Sequence, residues 1–232
     1  MEKVIAVLRA ADADEKWCER QRGPVAEAVL ALGVAGLTVN VRDSAVSHSM
    51  MTLTMLDPPA AAIVSIWTPQ CYGDQTTEAL RLLAAECDQL AAYLVTESTP
   101  LSAPLQLGER TTGLANIALL RRPPDLDYAT WLHRWQRDHT PVAIETQSTF
   151  GYTQNAVVRA LTTDAPQLSG IVEELFPIEA VTDLKAFFGA TDDADLQQRL
   201  SRMVASTSAF GANENIDTVP TSRYVLATPF TP

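Results

Sequence analysis

One stretch, written twice, constrains the fold of this chain more than any other feature. Ile5-Ala-Val-Leu-Arg9 returns 112 residues later as Ile117-Ala-Leu-Leu-Arg121. Arg20-Gln-Arg22-Gly-Pro24-Val-Ala26 returns 117 residues later as Arg137-Asp-His139-Thr-Pro141-Val-Ala143. A repeat at half the chain length implies two units of one architecture, each burying its apolar face against the other. The 232 residues suffice for two small domains of roughly 100 residues each. The expected boundaries are a first unit at 1–100, a linker at 101–112 and a second unit at 113–232.

Local patterning gives both units the same element order. Lys3 to Ala10 is a short run rich in Val, Ile and Leu without polar alternation, as in a strand covered on both faces. Asp12 and Glu15 have capping-box spacing. The helix that follows should kink or restart at Gly23-Pro24, because proline lacks the N–H and clashes with the preceding turn. Strands are predicted at Gly36 to Arg42, Ala61 to Trp67 and Leu90 to Thr96, with a helix at Thr76 to Gln89. In the second unit Leu114 to Arg121 is a strand, and Asp127 caps a helix with the stripe Trp131, Leu132 and Trp135. Thr140-Pro141 repeats the helix interruption. Strands follow at Phe150 to Leu161, Ser169 to Phe176 and Arg223 to Thr228, with helices at Thr182 to Phe188 and Ala194 to Val204.

Each half therefore reads βαββαβ, the ferredoxin-like split arrangement of a four-stranded antiparallel sheet with helices on one face. The near-continuous apolar strands need a cover on the other face as well. The second copy supplies it, which gives an α+β fold in which two sheets pack into a barrel within one chain.

Hydrophobic residues make up 47% and charged residues 19% of the chain, the balance of a packed globular protein. With a net charge of -11 a nucleic-acid backbone is repelled, so no nucleic-acid partner is expected. No apolar stretch approaches the roughly 20 residues of a membrane helix, and the first apolar run is too short for a signal peptide. These features predict a cytoplasmic protein with no membrane partner. Cys18, Cys71 and Cys87 are widely spaced, with no CxxC pair and no histidine at zinc-ligand spacing, so no metal site is expected.

From Leu114 to Val158 the sequence resembles the EthD family of dimeric α+β barrel proteins. The likeness is carried by Ile117-Ala-Leu-Leu-Arg121-Arg-Pro123, by Trp131-Leu-His133-Arg-Trp135-Gln-Arg-Asp138-His139-Thr-Pro141, and by Tyr152-Thr-Gln154-Asn155. The first half shares it only through Arg20-x-Arg22-Gly-Pro24, where Arg22 stands at the place of His139. The resemblance implies a fold that serves cofactor-free monooxygenases, cyclases, isomerases, dehydratases and haem-degrading enzymes, so it does not choose a reaction.

His139 is the leading catalytic candidate, because an imidazole exchanges protons near neutrality without a cofactor. Its structural alternative is a histidine that hydrogen-bonds the interrupted helix. Tyr152 and Asn155, of opposite parity on one strand, are candidates to polarise a substrate oxygen. Trp135, Arg121 and His48, the last in a methionine-rich loop with Met50, Met51 and Met55, are the candidate substrate-binding residues. The expected function is a cofactor-independent isomerase, dehydratase or cyclase acting on a small apolar oxygenated molecule. The alternatives are a cofactor-free or haem-linked monooxygenase and a non-catalytic binding protein. A monomer with an internal pseudo-dimer, or a homodimer, is expected.

Overall fold

A computed structural model describes residues 1–230. Strand β1 (Glu2–Arg9) leads to helix α1 (Glu15–Arg20), a π-helical stretch (Gln21–Val25) and α2 (Ala26–Ala31). Then come β2 (Gly36–Val41), β3 (Ala60–Thr68), α3 (Asp74–Ala84) and β4 (Gln89–Leu101). The chain continues through β5 (Leu114–Leu120), α4 (Tyr128–His133), a second π-helical stretch (Arg134–His139) and α5 (Thr140–Thr146). Next are β6 (Gly151–Ala160), β7 (Gly170–Phe176), a 3-10 turn (Ile178–Val181), α6 (Leu184–Phe188), α7 (Asp193–Ser208) and β8 (Asp217–Ala227). No described helix is long and apolar enough to cross a membrane.

The eight strands close into one antiparallel barrel in the order β1-β3-β2-β8-β5-β7-β6-β4. The seams between halves are β2 with β8 and β4 with β6. Side chains of alternate parity face inward and outward. On β1, Ile5 and Val7 join the inner cluster with Ile63, Tyr93 and Ile117, while Ala6 and Leu8 pack outward with Trp17, Val29 and Leu83. Burial on both faces is why these strands read as continuous apolar runs.

The helix breaks take two forms. At Gly23 the backbone leaves helical angles (φ −110°, ψ −109°) and the helix resumes after Pro24. Around Thr140-Pro141 nothing restarts: Thr140 keeps helical angles, and the preceding turn widens into a π-helix. The Thr140 hydroxyl, expected as a cap, instead donates to the Trp135 carbonyl and accepts from Gln154 Nε2 at 2.7 Å. The cap of α1 is Asp14, which accepts from Trp17 N at 2.7 Å, rather than Asp12. Gly189 ends α6 at φ +61°, a left-handed position that suits glycine.

Two strands extend beyond their predicted limits. β4 continues through Glu97 to Leu101 and pairs there with β6, and β8 begins at Asp217 rather than Arg223. Both added segments are polar or carry a proline, so they lack the apolar signature of a strand. Tertiary pairing satisfies their backbone instead.

Candidate functional site

The barrel interior differs at its two ends. Where β1 finishes, Val7, Ala60, Ile63, Ala91, Leu119, Ile171 and Val219 fill the lumen, and Leu56 and Leu168 reach in from loops. Asp217, 2% exposed, ties the 43–59 loop over this end by accepting from Met55 N and Leu56 N, and pairs with Arg121 at 2.7 Å. Arg121 therefore stands at the filled end of the barrel, and His48 is exposed on the loop that plugs it.

At the end where β1 begins, a cavity of about 620 Å³ opens into the lumen. Trp67, Leu101, Leu105, Leu175, Val225 and Phe230 make its apolar walls. Its polar side is built from Lys3, Glu97, Glu173 and Arg223, one each from β1, β4, β7 and β8. Lys3 is bonded to Glu97, and its ammonium lies 4.6 Å from the centroid of Trp67. Arg223 Nε stands 2.9 Å from Glu173, which also accepts from Asn40 Nδ2 at 2.9 Å. Burial holds the Lys3 ammonium below the usual lysine range against the opposing pull of Glu97. Four charges thus converge on one apolar-walled hollow.

These residues are placed by strand parity. Lys3 shares the inward parity of Ile5 and Val7, and it faces Trp67 across β3 and Val95 across β4. Glu173 points inward while its neighbour Glu174 points outward, so two adjacent acids serve opposite faces of the sheet. A charged residue in phase with an inward apolar row was the available signal for Lys3. Glu97 gave none, because it falls beyond the predicted end of its strand.

The cavity lining includes none of the six residues singled out from the sequence. Asn155 faces the lumen opposite Glu97 in the β4–β6 register. It donates to the Ile171 carbonyl at 3.1 Å, and its Oδ1 has no partner among the described residues.

His139, Tyr152 and Trp135 lie together on the outer face, under α4, α5 and α7. His139 Nδ1 is 2.9 Å from Ser206 Oγ, and the ring packs on Phe210 with centroids 4.9 Å apart. Burial lowers its pKa to about 4, so it is neutral at pH 7. Trp135 packs at a tilt against Trp131 with centroids 4.9 Å apart, and Gly170 makes room for both, since a Cβ there would stand 2.7 Å from Trp135. Tyr152 faces Glu174 across β6–β7, and burial raises the Tyr152 hydroxyl pKa. Burial also raises the Glu174 pKa to about 8. With its amide turned, Gln147 donates to Glu174 at 2.9 Å. This outer cluster is polar but filled.

The EthD domain profile matches residues 123–203. No curated protein matches the sequence. Among solved structures, an anthrone oxidase-like protein aligns over 99% of this chain and 95% of its own at 8% identity, with a TM-score of 0.59. An inferred chlorite dismutase aligns over 99% and 97% at 12% identity with a TM-score of 0.49. An inferred monooxygenase from Lactobacillus acidophilus aligns over 98% and 95% at 8% identity with a TM-score of 0.46. At such identities the first of these speaks to the fold alone, and the other two carry no argument. Residues 123–203, which hold His139, Tyr152, Trp135 and both acids of β7, therefore match the EthD domain profile and lie within an eight-stranded antiparallel α+β barrel.

Proposed function

We propose that the chain is a cofactor-independent enzyme of the isomerase, dehydratase or cyclase type, which binds a small apolar oxygenated molecule in the open end of the barrel and moves a proton beside its carbonyl. The observation that carries this reading is the hollow of about 620 Å³ whose apolar walls meet the Lys3–Glu97 and Arg223–Glu173 pairs. A mostly apolar pocket with a few convergent polar groups is the usual form of a small-molecule site.

Within it, the Lys3 ammonium polarises the substrate carbonyl oxygen. Glu97, whose partner then turns to substrate, becomes the carboxylate that accepts the α-proton. Glu173, paired with Arg223 and accepting from Asn40, anchors the polar side. His139 contributes to packing of the outer cluster in this reading. Among the described residues the lining offers no imidazole, thiolate, thioether or phenol, so a haem-linked reaction finds no usual axial ligand there.

The same reading treats the chain as two tandem ferredoxin-like units, divided at 101–112, which build the barrel as an internal pseudo-dimer. The strand orders 4-1-3-2 and 8-5-7-6 within the closed barrel support it, as does the sequence repeat.

The test is deuterium exchange at the α-carbons of 4-phenylbutan-2-one in D₂O, followed by NMR. Exchange should exceed buffer, and Glu97→Gln should lower it by roughly 10²–10⁴-fold, the usual contribution of a general base. Exchange at the buffer rate with saturable binding retained would instead identify a binding protein.

A further inference from the structure

We infer that Lys3 acts as a covalent amine, condensing with the carbonyl carbon of a small apolar aldehyde or ketone held in the open end of the barrel, with Glu97 carrying the proton. The inference rests on the reading of that hollow as the binding site, and it narrows the substrate to a reactive, unhindered carbonyl.

Lysine is scarce in this chain: Lys3, Lys16 and Lys185 are the three among 17 basic residues. Lys16 is exposed, and Lys185 is paired with Asp193 at the surface. The remaining lysine is 8% exposed, on the wall of the cavity. Arginine is the better residue for a buried structural ion pair, because its planar fork matches a carboxylate and is weakly hydrated. At Arg223, on the other side of the same hollow, the chain uses it. Arginine cannot give up its proton to become a nucleophile, whereas lysine can. The position that touches both a carboxylate and the hollow is therefore filled by the cation able to do amine chemistry.

The geometry supplies the proton path. A ligand that displaces water from the hollow penalises both charges of the Lys3–Glu97 pair, and passing one proton from Nζ to the carboxylate neutralises both. The free amine then adds to the carbonyl carbon, forming the C–N bond. After the second nitrogen proton reaches the alkoxide, Glu97 returns its proton to the carbinolamine hydroxyl. The C–O bond breaks, water leaves, and a protonated imine remains beside a restored Glu97 carboxylate. No electron acceptor or donor is required. The positive imine acidifies the neighbouring C–H, which joins this step to the α-proton transfer proposed above.

The experiment incubates the full chain with 3-phenylpropanal and sodium cyanoborohydride near pH 7, then locates the reduced adduct by fragment mass spectrometry. In parallel, 3-phenylpropanol, which cannot form an imine, is titrated by tryptophan fluorescence. The expected result is one dominant adduct on Lys3, with Met1, Lys16 and Lys185 labelled at least about tenfold less. Lys3→Arg keeps the ion pair and should bind the alcohol with a Kd within a few-fold of the parent while losing the adduct. Alcohol binding without an adduct at Lys3, or labelling spread evenly over the amines, overturns the covalent role and leaves the binding site standing. Failure of both the alcohol and the aldehyde overturns the site itself.

Discussion

Two polar clusters lie on opposite faces of the barrel wall, and they differ in what surrounds them. On the inner face, Lys3, Glu97, Glu173 and Arg223 are paired as ions and border an open hollow. On the outer face, His139, Tyr152, Glu174 and the Trp131–Trp135 pair are buried under helices with their space filled. Burial without counter-charge drives the outer groups neutral: the imidazole loses its proton and the Glu174 carboxyl keeps one. The inner groups have counter-charges at hand. Titratable groups are thus equally present on both faces, but on the inner one they meet free space, and space decides where a ligand can go.

The comparison breaks if the outer cluster is more than packing. Trp135→Ala should lower stability by about 3–5 kcal/mol, the usual cost of removing a buried large aromatic, read as the urea midpoint. In the fraction that stays folded, the Kd for 3-phenylpropanol should stay within about twofold. A lost affinity with intact stability would move the site to the outer face.

Two titrations sharpen the contrast. The unfolded chain ionises Glu174 near pH 4.5, whereas the folded chain keeps it protonated up to about 8. Stability therefore falls as pH rises across that interval, and Glu174→Gln should remove the fall and stand roughly 5 kcal/mol above the parent beyond pH 8. His139 works in the opposite sense, since its pKa drops from 6.5 to about 4 on folding. Acidification from pH 6.5 to 4 favours the unfolded chain by about 3 kcal/mol. His139→Gln should flatten that limb in urea titrations and leave α-deuterium exchange unchanged. A collapse of exchange in His139→Gln would make the histidine catalytic.

The smaller effects belong to the hollow. Thr153→Trp places an indole in the cavity and should weaken alcohol binding by at least about tenfold, or 1.4 kcal/mol, with little loss of stability. Phe230 packs edge-on against Trp67 at 6.2 Å between centroids. Phe230→Ala should cost about 0.5–1.5 kcal/mol of alcohol affinity, the scale of one aromatic contact.

Much of the architecture was legible in the chain. Apolar runs such as Ile5 to Leu8 and Ile117 to Leu120 became strands buried on both faces, and the doubled Arg-x-x-x-Pro stretch marked irregular helical turns in both halves. The largest misses fell on polar backbone. Glu97 to Leu101 and Asp217 to Ser222 form strands whose pairing is set by distant partners, so no local pattern announces them. The candidate site suffered for the same reason. His139, Tyr152 and Trp135 stood out because their residue types are distinctive, while Lys3 and Glu97 look like ordinary surface charges at strand ends.

By itself the sequence determined which segments bury both faces and where the helices are interrupted. Those are short-range matters of hydrophobic period and proline geometry. Only the tertiary structure decided which polar cluster meets open space, because barrel closure brings Lys3, Glu97, Glu173 and Arg223 together from four strands spread over the whole chain. Packing, which depends on every neighbour at once, fills the other cluster.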